Sequence, residues 1–111
     1  MQNLDAAISD YWVALSLAAD DVDTQYQLGC SYYNRGLQNA EAGLYAKAIQ
    51  DFTLALQFNA QSAEVYGARA LSYYRNQDYD NAMLDCLNAC RLNPFLAEVY
   101  LRKTSAARDE M

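Results

Sequence analysis

The sequence predicts an all-α fold, an α-solenoid of about six helices in antiparallel pairs. Three observations carry this. Residues 59–66, Asn-Ala-Gln-Ser-Ala-Glu-Val-Tyr, return 34 residues later at 93–100 as Asn-Pro-Phe-Leu-Ala-Glu-Val-Tyr. Laying residues 29–62 over 63–96 without a gap keeps eight identities: Tyr32/Tyr66, Arg35/Arg69, Leu37/Leu71, Tyr45/Tyr79, Ala48/Ala82, Asp51/Asp85, Ala55/Ala89 and Asn59/Asn93. The 111 residues are 53% hydrophobic with only 4 Gly and 1 Pro, which leaves few places for the tight turns of a sheet protein. A module that stacks on copies of itself presents a long surface rather than a catalytic cavity, so the expected function is to hold another protein.

Each helix has its own signal. Residues 3–18 place Leu4, Ala7, Ile8, Tyr11, Ala14, Leu15 and Ala18 at steps of three and four, one apolar face of a first helix. Asp20, Asp21 and Asp23 interrupt that pattern and suit the cap and first turn of a second helix. A calcium loop is the weaker reading, because Val22, Thr24 and Gln25 do not supply its ligands or its Gly. The second helix runs from about 23 to 42 and is ended by Gly43, which can take the left-handed conformation. Gly29 and Gly36 inside it each cost roughly 1 kcal/mol against Ala, so they are tolerable only where a neighbouring helix comes close. Helix three, 44–58, carries Tyr45, Ala48, Ile49, Phe52, Ala55 and Leu56 on one side. Helix four spans about 62–76. Helix five starts at an Asp78 cap, repeats the pattern with Tyr79, Ala82, Met83, Cys86, Ala89 and Cys90, and stops at Pro94. A sixth helix is expected from about Phe95 to Asp109. The chain then divides as a half repeat (1–21), a repeat with an extended first helix (22–62), a second repeat (63–96) and a terminal helix (97–111), all one domain.

The charge narrows the partners. Net charge is −6, and nothing basic precedes Arg35, whereas Asp5, Asp10, Asp20, Asp21 and Asp23 do. Nucleic acid and anionic lipid are therefore disfavoured. The longest apolar run, Tyr11 to Leu15, is too short to span a bilayer, so no membrane insertion and no signal peptide are expected. Cys30, Cys86 and Cys90 make an odd number, which suits a reduced, cytoplasmic setting. With no His, neither a Ser-His-Asp nor a Cys-His arrangement can form and the usual zinc spacings cannot be assembled; we expect no enzyme, no metal and no cofactor. Cys86 and Cys90 share a face with Ala82 and Ala89 and read first as small buried hydrophobes, with a redox pair as the alternative.

These residues resemble the tetratricopeptide repeat (TPR) family. Tyr32 to Leu37, then Gly43-Leu44-Tyr45-Ala46-Lys47-Ala48-Ile49 and Phe52-x-x-Ala55-Leu56, look like one repeat, and 63–96 look like a second. Small residues at Gly36/Ala70, Ala48/Ala82 and Ala55/Ala89 and the closing Pro94 are shared. Helix one looks like the second half of a preceding repeat, with Ala7-Ile8, Tyr11 and Ala14-Leu15 matching Ala48-Ile49, Phe52 and Ala55-Leu56, and helix six looks like the first half of a following one. The chain departs from the family in having Tyr for the commoner Trp, Ala60 for Pro and Cys86 for a large aromatic. Its seven extra residues in the second helix are similar to the longer Sel1-like relatives.

The resemblance implies a right-handed superhelix and a protein–protein interaction module, an adaptor or scaffold binding a peptide or helix in a concave groove. On the positions where family members contact ligand stand Tyr33, Asn34, Leu37, Leu71, Tyr74, Arg75, Leu101 and Arg102. Tyr33, Leu37, Leu71 and Tyr74 would form an apolar floor, Asn34 would hold a backbone amide, and Arg75 with Arg102 would take a carboxylate. Leu37 and Leu71 serve equally well as core. The family's carboxylate clamp for chaperone tails is not expected, because its places hold Tyr33, Leu37, Ala68, Glu98 and Arg102, of which only Arg102 fits. The alternative is an assembly subunit that docks or dimerises through incomplete terminal helices. Trp12 and Val13 stand beside the face of Ala7, Ile8, Tyr11 and Leu15 and widen the apolar stripe of helix one past what one neighbour would cover, so the patch of Ile8, Trp12 and Val13 is expected to self-associate or meet a partner. The other reading folds Trp12 back near Val22 and Tyr26.

Overall fold

The computed structural model describes residues 3–95, all helix and connecting turn with no strand among them. Five helices follow in order: α1 (Leu4–Leu17), α2 (Val22–Glu41), α3 (Tyr45–Phe58), α4 (Ala63–Arg75) and α5 (Tyr79–Leu92). The expected sixth helix, with Leu101 and Arg102, lies outside the described residues.

Short polar side chains start every described helix but α3 by accepting hydrogen bonds from otherwise unpaired backbone N–H groups; α3 starts at Leu44 with no side-chain cap. Asn3 accepts from the Ala6 N–H at 3.2 Å, Asp21 from Thr24 at 3.2 Å and Ser62 from Val65 at 3.3 Å. Asp78 accepts from the Asn81 N–H at 3.4 Å. The hydroxyl and then the backbone N–H of Thr24 hold the Asp21 carboxyl below its ordinary pKa, so the acidic run before α2 contains a cap as expected. At the end of α2, Gly43 takes φ +80 while its N–H reaches the Ala40 carbonyl and that of Leu44 reaches Asn39. One repeat later Gln77 takes φ 66, and the N–H groups of Gln77 and Asp78 reach Tyr74 and Tyr73 in the same way. Both are the six-to-one and five-to-two closures that satisfy the last carbonyls of a helix.

Each helix packs antiparallel on its neighbour in sequence, α1 on α2, α2 on α3, α3 on α4 and α4 on α5, while α2 and α4 only graze each other. The core lies along the α2–α3–α4 seam, where Leu28, Phe52, Ala48 and Ala55 are essentially without solvent. The two glycines inside α2 are there for close approach. A Cβ at Gly36 would stand 2.6 Å from Cε1 of Phe52, and one at Gly29 would meet Cβ of Phe58 at 3.2 Å. The seven-residue extension of α2 is thus one continuous helix set against α3, as its phasing predicts.

On α5, Cys86 is buried and Cys90 half-buried, and Cys30 of α2 is half-buried as well. Burial, and then the nearby Asp85 carboxylate, push the Cys86 thiol up, leaving less of the reactive thiolate at any given pH. At pH 8 iodoacetamide should therefore label Cys86 at least roughly tenfold more slowly than Cys30 or Cys90, read by peptide mass mapping. Equal rates would show that α5 leaves α4 on the labelling timescale.

Candidate functional site

Because α2 and α4 touch only lightly, a recess of about 460 Å³ opens between their C-terminal halves. Leu37, Ala40 and Glu41 of α2 form one wall, and Ala68, Leu71, Ser72 and Arg75 of α4 form the other. Tyr45 and Phe52 of α3 close the bottom. Most of this lining is apolar. Ser72 is buried and donates its hydroxyl to the Ala68 carbonyl at 3.2 Å, so it makes no demand on a ligand. Glu41 and Arg75, both exposed, stand on opposite walls and give the mouth one charge of each sign. The size falls within the range of about 300–1,000 Å³ usual for binding pockets.

Of the groove positions expected from the sequence, Leu37, Leu71 and Arg75 come together in this recess. Tyr33 sits against its floor, its ring centroid 5.8 Å from that of Phe52. Asn34 is exposed on α2 and does not line the recess. Tyr74 turns to the α4–α5 turn, edge-on to Tyr79 at 5.3 Å, and its buried hydroxyl has no hydrogen-bond partner among the described residues. Its expected place in the apolar floor is taken by Tyr45, because the residue after Tyr73 on α4 points toward α5 rather than toward α2.

The walls are held by two ion pairs that repeat with the period of the sequence. Arg35 Nη2 meets Asp51 Oδ1 at 2.7 Å and Nε donates to Oδ2 at 3.1 Å, while Asn39 Nδ2 donates to the same carboxylate at 2.8 Å. Arg69 Nε and Nη2 meet Asp85 Oδ2 and Oδ1 at 2.7 and 2.8 Å. Each Arg also reaches the preceding helix: Arg35 Nη1 to Asp5 at 2.9 Å, and Arg69 Nη1 to Thr53 Oγ1 at 3.0 Å. One guanidinium thus ties three helices. The hydrogen bond to Asp51 raises the Arg35 pKa, and for Arg69 the lowering effect of burial is more than offset by Asp85. These four residues were legible only as repeat identities; the signal for their pairing was the sixteen-residue spacing of Arg and Asp in both repeats.

At the other end, Ile8 is 6% exposed and belongs to the core, so it is not a surface residue of the patch expected on the first helix. It lies on the side of α1 that α2 covers. Val13 is exposed at 61%. Trp12 is 46% exposed, and its Nε1 donates to the Tyr32 hydroxyl at 2.9 Å with the ring edge-on to Phe58 at 5.6 Å. The indole therefore crosses α2 toward α3 instead of folding back on Val22 and Tyr26. Among the described residues no three His, Cys, Asp or Glu side chains converge as a metal site, and no helix is long and apolar enough to cross a membrane. No protein-family model matches this chain.

Proposed function

We propose that the chain is a protein–protein interaction module, an adaptor or scaffold that seats a peptide or helix of a partner between α2 and α4. The observation that supports this reading is the recess itself: an apolar trough of about 460 Å³ with Arg75 free of acidic partners among the described residues. Apolar side chains of the ligand fill the trough, and Arg75 takes a ligand carboxylate. In this reading the chain is a TPR-like solenoid with a right-handed turn and residues 97–111 as its sixth helix, contributing Leu101 and Arg102 to the same groove. It acts in the cytoplasm, without catalysis or cofactor, and does not bind the acidic tails of chaperones.

Selection from a displayed random-peptide library on the immobilised full chain tests the site whatever the partner is. Peptides that bind should carry apolar anchors next to an acid. Leu71→Asp with Arg75→Glu, at positions half-buried and exposed, should keep the helical circular dichroism and weaken those peptides at least roughly thirtyfold, the loss of about 2 kcal/mol that defines a hot spot. Peptides that bind both proteins equally would remove the recess as the site.

A further inference from the structure

The two walls of the recess are the same stretch of the repeat. Leu37 and Glu41 stand one turn apart on α2, and Leu71 and Arg75 stand at the same two places on α4, 34 residues on. The first place is leucine on both walls; the second carries opposite charges. Both walls are inner helices, since α2 packs on α1 and α3, and α4 packs on α3 and α5. The opposite charges do not meet each other. Neither the Glu41 carboxylate nor the Arg75 guanidinium makes an ion pair or hydrogen bond among the described residues, although both line one recess.

Arg75 is explained in part by its own helix, because a cation in a last turn complements the negative end of the helix dipole. Glu41 is not. The acids Asp5, Asp23, Glu64 and Asp80 lie in first turns, where the dipole favours them, and Arg91 lies in a last turn like Arg75. Glu41 is the one acid in the last turn of a described helix, and that turn holds no cation to offset it. Local rules of this kind are broken chiefly at functional sites. The overall charge of −6 points the same way: it repels a ligand that bears acids alone and attracts one that also bears a base.

We propose, resting on the recess as the binding site, that its ligand is a peptide segment of two signs. An apolar residue sits on Leu37 and Leu71, an acid on one side of it is held by Arg75, and a Lys or Arg on the other side is held by Glu41. The walls are helices whose backbone groups are bonded within themselves, so they offer the ligand chain no ladder to pair with. The two charges therefore set which way the segment crosses the recess.

The probes are synthetic peptides copied from the binders that a displayed random library yields on the full chain. These should carry a base and an acid flanking an apolar residue. Changing the base of such a peptide to Glu should weaken it at least roughly tenfold on the wild-type chain, because like charges are then brought together, and Glu41→Lys should restore it. Changing its acid to Lys should weaken it by as much, and Arg75→Glu, not Glu41→Lys, should restore that binding. Restoration by one wall only is not open to a misfolded chain. Glu41→Lys also puts a cation where the dipole favours it, so its melting temperature should not fall. Peptides that are weakened by Leu71→Asp with Arg75→Glu but carry no base, or whose base is indifferent to Glu41→Lys, would overturn the proposal and leave the recess as the binding site. Peptides indifferent to changes on both walls would overturn both.

Discussion

Phe52→Ala should lower the free energy of unfolding by about 3–5 kcal/mol, the range for truncating a buried aromatic. The ring has 0% exposure, contacts Tyr33, closes the bottom of the recess and fills the notch left by Gly36. Against a typical total of about 5–15 kcal/mol for a domain, that loss should move the urea midpoint of the circular dichroism transition far down. The same site offers a control on mechanism. Gly36→Leu alone drives a side chain into the ring from a Cβ 2.6 Å away and should cost about 1–3 kcal/mol or more by overpacking. Combined with Phe52→Ala, the new leucine enters the vacated volume, and the double variant should be more stable than the sum of the singles by at least about 1 kcal/mol. Strict additivity would mean that the two positions do not share the space described, and a loss below about 1 kcal/mol for Phe52→Ala would move the centre of the core away from the α2–α3 seam.

The close approach at Gly36 is also where the sequence was most informative. A glycine inside a helical period has a short list of uses, so Gly36 announced a near neighbour, though not that the neighbour is Phe52. Helix ends followed from the chemistry of their caps, with Asp21, Asp78 and Gly43 where short acceptors and a positive φ are needed. Gln77 was not legible, because nothing in a Gln side chain signals a left-handed backbone; only its alignment with Gly43 does. The lining of the recess was half legible. Leu37, Leu71 and Arg75 follow from their register on equivalent helices, but the parts played by Ala40, Glu41 and Tyr45 depend on how far α2 and α4 diverge, a quantity set by packing at a distance and not by local pattern. Tyr74 stands off the recess for a related reason. One residue along a helix is a turn of about 100°, so a groove position and a helix-junction position are neighbours in sequence. Trp12 is half exposed by its area yet tied by a hydrogen bond to Tyr32, which no count of apolar residues on α1 could show.

Asp85→Ala should destabilise the fold by about 3–5 kcal/mol, the cost of leaving one member of a buried pair without its partner, and by more than Asp51→Ala. The two pairs look alike in sequence but differ in what remains after the carboxylate is gone. The Arg69 side chain is 17% exposed, and without Asp85 it keeps, among the described residues, the Thr53 hydroxyl and the faces of Tyr66 and Tyr73. The Arg35 side chain is 31% exposed and retains Asp5, so its charge stays partly compensated by water and by a second acid. For Asp51→Ala about 2 kcal/mol is expected, including the lost bond from Asn39. Salt should separate them further: the Arg35–Asp5 contact, with Asp5 81% exposed, is screened at high ionic strength, whereas the Arg69–Asp85 contact is not. Urea titrations of both variants at low and high salt check the order, and an Asp51→Ala loss equal to or above that of Asp85→Ala would show that solvent access to the guanidinium does not control the cost. Replacing the second pair whole, as Arg69→Met with Asp85→Leu, should recover most of the loss, because no buried charge is then left alone. The pair would in that case serve chiefly to align α4 on α5, and through them the wall of the recess that carries Leu71 and Arg75.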